Sequence, residues 1–420
     1  MDKRTFIKTS SLLGVGAFVG LDTFAKLLES VAHIPAKELA VNEDFWQTVR
    51  SGYKLTADYI NLENGYYCIQ PQVVLDAFIQ HVKEVNIQGA HYMRTVQFDN
   101  KNKMAAKLAE LAGCSKDELI ITRNTTESLD MIINGMHWDP GDEAIMAEHD
   151  YGAMLDMFAQ ASKRYGMVNK ILSVPIHPKS DDEIVELYAD AITPKTKLLM
   201  VCHMINITGQ ILPICKICDM AHSKGVPVMV DGAHAFAHIN FKISDLNCDY
   251  YGVSLHKWLS VPLGAGFLYV KKENISKIWP LFAEGEHPED DIARLNHTGT
   301  IPVYTDLAIA DAIDFYNMIG GQRKEDRLRY LQNYWTNKVR RLPNIILNTP
   351  EDPTRSCAIA SVGIKNMKPA DMADILLKKY KIYTVAIDNK GVKGCRITPN
   401  VYTSTDELDT LVGALKEMAG

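Results

Sequence analysis

The run Val253-Ser254-Leu255-His256-Lys257-Trp258-Leu259 leaves an apolar stretch and leads on to Gly264-Ala265-Gly266. A lysine in such surroundings is costly to keep charged, so burial lowers its pKa and makes the amine a nucleophile toward an aldehyde. Read alone, Lys257 fits a surface lysine after a strand better. Upstream, the apolar run Val226-Pro227-Val228-Met229-Val230 ends in Asp231-Gly232-Ala233-His234. A carboxylate at the carboxyl end of a parallel strand sits where open α/β sheets bind ligands. There it could hold a proton on a pyridine nitrogen and so let the ring draw electrons, although a cap on the next element is the plainer reading. A third signal, Thr122-Arg123-Asn124-Thr125-Thr126-Glu127-Ser128, links a strand to a helix whose Leu129, Ile132, Ile133 and Met136 keep helical spacing. Amides and hydroxyls at a helix start cradle phosphate, though many threonines there only cap.

The elements that must position these groups are legible in outline. Strand candidates at 118–122, 143–147, 170–175, 198–203, 226–230, 250–254 and 266–270 alternate for the most part with helix-length segments, which predicts a largely parallel sheet with helices on both faces. The last two lie too close together for a helical crossover and read as an antiparallel pair at one side. Before them come an arm over 33–62, ending in a short strand ahead of the Asn64-Gly65 turn, and a helical stretch over about 70–115. After residue 300 the texture becomes long helices, a few strands and a last helix opened by Ser404 with Glu407 three residues on, a capping box. The expected fold is α/β, with a large domain over 63–300 carrying a mostly parallel seven-stranded sheet and a smaller α+β domain over 301–420.

The three signals, in this order, make the chain resemble the class V aminotransferase family of fold-type I pyridoxal-phosphate enzymes over roughly residues 55–415. The resemblance implies pyridoxal 5'-phosphate as cofactor, an amino acid as substrate and a homodimer. It makes Lys257 the Schiff-base lysine, pairs Asp231 with the pyridine nitrogen, and puts His234 and Asn206 near the ring hydroxyl. Thr125, Thr126, Ser254 and His256 match phosphate-binding positions, and Thr300, in His297-Thr298-Gly299-Thr300, matches the residue lent by the partner subunit. His149 matches the ring-stacking position, Tyr151 is held as a proton donor, and Arg396 matches the arginine that takes a carboxylate, a role its planar fork suits.

The segments Asn61-Leu62-Glu63-Asn64-Gly65-Tyr66 and His149-Asp150-Tyr151-Gly152-Ala153 look closest to the isopenicillin N epimerase-like branch, with Asn64 expected near the substrate. The resemblance leaves transamination, epimerisation and carbon–sulfur lysis open. Desulfurases need a nucleophilic cysteine ahead of the substrate arginine, and 381–388 holds none; Cys395 adjoins Arg396 and is a poor substitute. An exported binding protein without catalysis is the non-enzyme alternative, against which Lys257, Asp231 and Arg396 stand together. A metal site on His234 and His238 is disfavoured, since it leaves Lys257 and the threonine cradle unexplained, and no metal is expected.

Composition excludes other classes. With 420 residues, 47% hydrophobic, a net charge of −6 and its basic residues scattered, the chain has no footprint for nucleic acid or an anionic membrane. Residues 1–32 read as an export signal, because Lys3-Arg4-Thr5-Phe6-Ile7-Lys8 precedes an apolar run from Leu12 to Leu21. The pattern resembles a twin-arginine signal with Lys3 in the first arginine's place, implying a periplasmic destination, or a cytoplasmic one if the signal is silent. The run is too short for a stable membrane span. Eight scattered cysteines form no disulfide framework, and the single Cys215-Lys216-Ile217-Cys218 pair reads as packing.

Overall fold

The computed structural model describes residues 28–420, so the export signal expected at the N-terminus lies almost wholly outside the described residues. Leu28 and Val31 are buried in the large core. Helices α1 (Ala36–Leu39) and α2 (Glu43–Arg50) follow, with Phe45, Trp46 and Val49 buried. The arm then forms the two-residue strand β1 (Ile60–Asn61). The helical stretch after it is three helices: α3 (Gln72–Gln88), α4 (Ala90–Thr95) and α5 (Gln97–Ala112). The first break falls at Gly89, whose φ of 53° and ψ of −130° suit glycine.

The large sheet is built from β2 (Leu119–Thr122), β3 (Glu143–Ala147), β4 (Val168–Leu172), β5 (Thr196–Cys202), β6 (Val228–Asp231), β7 (Tyr250–Ser254) and β8 (Gly266–Val270). Its order is β2-β8-β7-β6-β5-β3-β4. The run from β7 to β4 is parallel, and β8 lies antiparallel to both β7 and β2. The antiparallel pair read from the sequence is therefore present, with β2 as the outermost strand beyond it. The connecting helices are α6 (Thr125–Gly135), α7 (Gly152–Tyr165), α8 (Asp181–Ala191) and α9 (Ile214–Ser223). They cover both faces, which is why β6, β7 and β8 are buried along their whole length.

Two strand ends differ from the sequence reading. β6 begins after Pro227, because proline has no N–H to give a ladder, and β4 ends at Leu172, three residues short of Pro175. Edge strand β4 starts at Val168 and carries the polar Asn169 and Lys170.

Two long helices, α10 (Val303–Ile319) and α11 (Gly321–Val339), lead to the second unit. Ile309, Ala312 and Ile313 of α10 join the large core, whereas Leu331 and Trp335 of α11 join the core of the smaller sheet. That sheet contains β9 (Ile345–Leu347), β10 (Ala360–Ile364), β12 (Val385–Asn389) and β13 (Val392–Ile397), ordered β12-β13-β10-β9 and antiparallel throughout. α12 (Pro369–Tyr380) precedes β11 (Ile382–Tyr383), which pairs in parallel with β1 and ties the arm to this unit. The last helix, α13 (Thr405–Ala419), carries the expected capping box between Ser404 and Glu407. All eight cysteines are free, with Cys215 exposed on α9 and Cys218 buried beneath it. Among the described residues no helix is long and apolar enough to cross a membrane.

Candidate active site

The carboxyl ends of β6 and β7 and the start of α6 converge. Asp231 is the last residue of β6, paired with Cys202 of β5 and Gly252 of β7, and Lys257 follows β7 by three residues. Lys257 Nζ lies 3.0 Å from His234 Nε2. Burial lowers the lysine's pKa to about 8; the negative charge of Asp231 opposes that shift and Arg396 adds to it. Burial is also the first cause at Asp231, raising its pKa against the pull of Lys257 and a 2.9 Å bond from the Ala233 amide. His234 is held well below its ordinary pKa by burial and by the charges of Lys257 and Arg396, which keeps the imidazole neutral.

Trp258 braces this group. Its indole stacks on His238, with ring centroids 3.6 Å apart, and its Nε1–H donates to His234 Nδ1 at 3.5 Å. His238 donates from Nδ1 to the His234 carbonyl at 2.8 Å and accepts the Ala358 amide at Nε2 at 3.0 Å. Both its nitrogens are thus engaged. The segment from Gly232 to His238 is a series of turns, not a helix, so His234 and His238 do not share a helix face.

At the start of α6, Thr125 donates from its amide to Ser254 Oγ, and the two hydroxyls meet, each at 2.9 Å. Asn124, not a threonine, is the N-cap, accepting the Glu127 amide at 2.9 Å. Gly266 lets β8 begin against this cap, since a Cβ there would stand 2.8 Å from Asn124 Cα. Thr126 is half-buried on the same turn. His256 Nδ1 is a buried atom without a partner among the described residues, and burial lowers its pKa to about 4.

The remaining residues singled out in the sequence divide. His149 is buried, with Nε2 2.9 Å from the Lys390 carbonyl on the β12–β13 turn and Nδ1 unpartnered. Asn206 meets Arg396 through its main-chain carbonyl, at 3.1 Å from Nη1. Arg396 also pairs with Glu63, a residue the sequence reading passed over. Asn64, expected near substrate, is wholly buried: its Nδ2 donates to the Thr398 carbonyl at 2.7 Å, and its Oδ1 accepts from Asn61 and Tyr402. Tyr151 is 44% exposed at the N-cap of α7. Thr300 is exposed on the loop before α10. Asp150 is a further buried carboxyl, raised to about 7 by burial, with Asp231 adding to the effect. Its signal was on view in the Glu148-His149-Asp150 run following β3.

Comparison with known proteins agrees with this architecture. The family profile described as Aminotransferase class-V matches residues 68–408. An isopenicillin N epimerase from Amycolatopsis lactamdurans is 27% identical over 332 residues, covering 74% of this chain and 83% of that protein. A cysteine desulfurase from Haloferax volcanii is 25% identical over 390 residues, covering 86% and 89% respectively. Among solved structures, the apo cysteine desulfurase from Thermococcus onnurineus NA1 superposes with a TM-score of 0.78 at 20% identity, over 88% of this chain and 97% of that one.

Proposed function

The chain belongs to the aminotransferase class-V family, and we propose that it is a pyridoxal 5'-phosphate enzyme acting on the amino group of an amino acid through Lys257. The observation that carries this reading is the Lys257 amine, with its pKa lowered to about 8, set 3.0 Å from a neutral imidazole within the influence of the Asp231 carboxylate.

The residues present fit the cofactor. Asp231 suits a pyridine nitrogen, and Thr125, Thr126 and Ser254 at the start of a helix suit a phosphate. The buried, unpartnered Nδ1 atoms of His256 and His149 leave hydrogen-bonding capacity for a ligand to use. When bound, the cofactor supplies an aldehyde for imine exchange and a protonated ring that takes up electrons from a broken Cα bond. Lys257, neutral above about pH 8, is the base that removes or returns the Cα proton. His234 keeps that amine oriented, Asp231 holds a proton at the ring nitrogen, and Arg396 takes the carboxylate. Return of the proton to the opposite face of Cα would give an epimer, its delivery to the cofactor carbon would give transamination, and loss of a β-substituent would give lysis.

A desulfurase-like thiol step has less support. Cys395 is wholly buried, its Sγ 3.7 Å from the Pro369 carbonyl, and burial pushes its pKa up to about 12.

The test is hydride reduction of the purified yellow protein followed by peptide mass mapping. A pyridoxyl adduct on the peptide containing Lys257 is expected, and an unmodified peptide would overturn the reading. Separation of keto-acid, sulfide and inverted amino-acid products then assigns the reaction.

The same reading has the mature chain exported, on the strength of Lys3-Arg4 and the apolar run behind them. It also has two copies pairing so that each lends its exposed Thr300 to the other's phosphate. The N-terminal mass of the secreted protein tests the first point. Mixed dimers of Thr300→Ala and Lys257→Ala chains test the second, since only one composite site in such a dimer keeps both residues.

A further inference from the structure

The guanidinium assigned above to the substrate carboxylate already holds a carboxylate of the protein's own. Glu63 Oε2 accepts from Arg396 Nε at 3.2 Å, and Oε1 accepts from Nη2 at 2.5 Å. The third bond, from Nη1, goes to the Asn206 carbonyl at 3.1 Å. Both side chains are buried, at 8% and 6% exposure, so the pair is shielded from water. Of the five N–H groups of a guanidinium, the side-on fork that best fits a carboxylate is thereby filled.

One partner has room to leave and the other has none. Glu63 also lines a cavity of about 310 Å³, where the Tyr66 amide already donates to its Oε1 at 2.9 Å and Thr56, Asn61 and Tyr67 supply further polar groups, while Arg50 on the same wall is paired with Glu407. Arg396 is pressed against Gly65, where an added Cβ would lie 2.8 to 3.0 Å from its Cζ, Nη2 and Nε. The guanidinium is thus fixed, and the movable half of the pair is Glu63.

We infer that Glu63 is a built-in competitor for the substrate carboxylate and therefore a specificity-determining residue. An amino acid enters by displacing Glu63 from Arg396 into the adjoining cavity, whereas an amine without a carboxylate meets a closed, neutral pair and displaces nothing. Each incoming carboxylate is charged with breaking a buried ion pair, and the amine is not. The inference rests on Arg396 being the carboxylate site.

The test compares L-alanine with ethylamine, which differ by the carboxylate alone, on the full-length cofactor-loaded enzyme, with binding followed by the change in cofactor absorbance. Glu63→Gln keeps the length and the acceptor for the Tyr66 amide while removing the charge. It should tighten L-alanine by about tenfold or more and leave ethylamine within about twofold. Glu63→Asp, too short to span the pair, should move the ratio the same way and covers the case in which the first variant fails to fold.

A second arm needs no cofactor. Sodium propionate should raise the melting temperature of the Glu63→Gln apoprotein at about one tenth of the concentration the wild type needs, with no response in Arg396→Gln. An unchanged alanine-to-ethylamine ratio, or equal propionate responses, overturns the inference. If those results come with an intact Lys257 adduct, the functional reading survives the loss; a missing adduct removes both.

Discussion

Two lysines lie on either side of Trp258, and burial lowers each to a pKa of about 8. Lys257 points at His234, with Asp231 close enough to oppose the shift. Lys324, on α11, donates to the main-chain carbonyl of Trp258 and lies 5.5 Å from the centre of the Tyr316 ring. The groups beside it that oppose the shift are the thiols of Cys68 and Cys357, not a carboxylate. The same perturbation therefore accompanies two different tasks. A depressed lysine pKa marks a buried amine; only the partner set separates one poised for chemistry from one that pins the loop carrying it.

The sharpest way to break this contrast is to exchange the two residues' fates. Lys257→Ala should abolish the pyridoxyl adduct and reduce turnover by about a thousandfold or more, as expected for loss of both the covalent anchor and the general base. Lys324→Met should keep the adduct, because its amine touches a carbonyl and not the reacting groups. Peptide mapping after reduction reads both, and loss of the adduct in the Lys324 variant alone would reverse the assignment.

The next effect is on stability, where the two lysines should behave alike. Each has a folded pKa of about 8 against an ordinary value of 10.5. Between those values the unfolded chain binds the more protons, so stability rises with pH through the window and is lowest below about pH 8, where both charges are buried. Each lysine contributes at most ~1.4 kcal/mol per pH unit to that slope. Buried thiols such as Cys68, pushed up to about 12, tilt the curve the other way, so the difference from wild type is the quantity to read. Urea midpoints of apoprotein between about pH 8 and pH 10 should show Lys257→Met and Lys324→Met each flattening the rise. An unchanged slope in either variant would mean that lysine is not a buried cation below the window.

What the sequence made legible was local. Lys257, Asp231 and Thr125 could be picked out because each closes or follows an apolar strand, and β6, β7 and α6 bring those ends together. Long-range partners left no such trace: Glu63 and Arg396 are 333 positions apart, and Lys324 reaches Trp258 from 66 positions away. The motif around Asn64 was noticed, but the residue within it that meets Arg396 is its neighbour. Adjacent side chains of extended backbone face opposite ways, so Glu63 turns to the arginine while Asn64 turns to Thr398 and Tyr402. Where the sequence suggested a helical stretch over about 70–115, the structure has three helices: Gly89 permits the first break, and the second falls at Val96, which no helical periodicity announces.

The smallest effect concerns the residue between the lysines. With Nδ1 of His234 accepting from the Trp258 indole, the imidazole proton sits on Nε2, 3.0 Å from Lys257 Nζ, where it can be donated only to a neutral amine. A charged Lys257 would need that nitrogen as acceptor and would force the proton to Nδ1, against the indole N–H. Trp258 therefore biases Lys257 toward the nucleophilic form, weakly, because the 3.5 Å bond is long. Trp258→Phe retains an aromatic ring for His238 and the carbonyl for Lys324 while deleting the N–H. It should raise the pH midpoint of cofactor capture by apoprotein by a few tenths of a unit, roughly the share of one weak hydrogen bond. Cofactor incorporation measured against pH reads the shift. A midpoint that stays put would leave burial as the sole cause of the low lysine pKa and reduce Trp258 to packing, bringing the surroundings of Lys257 closer to those of Lys324.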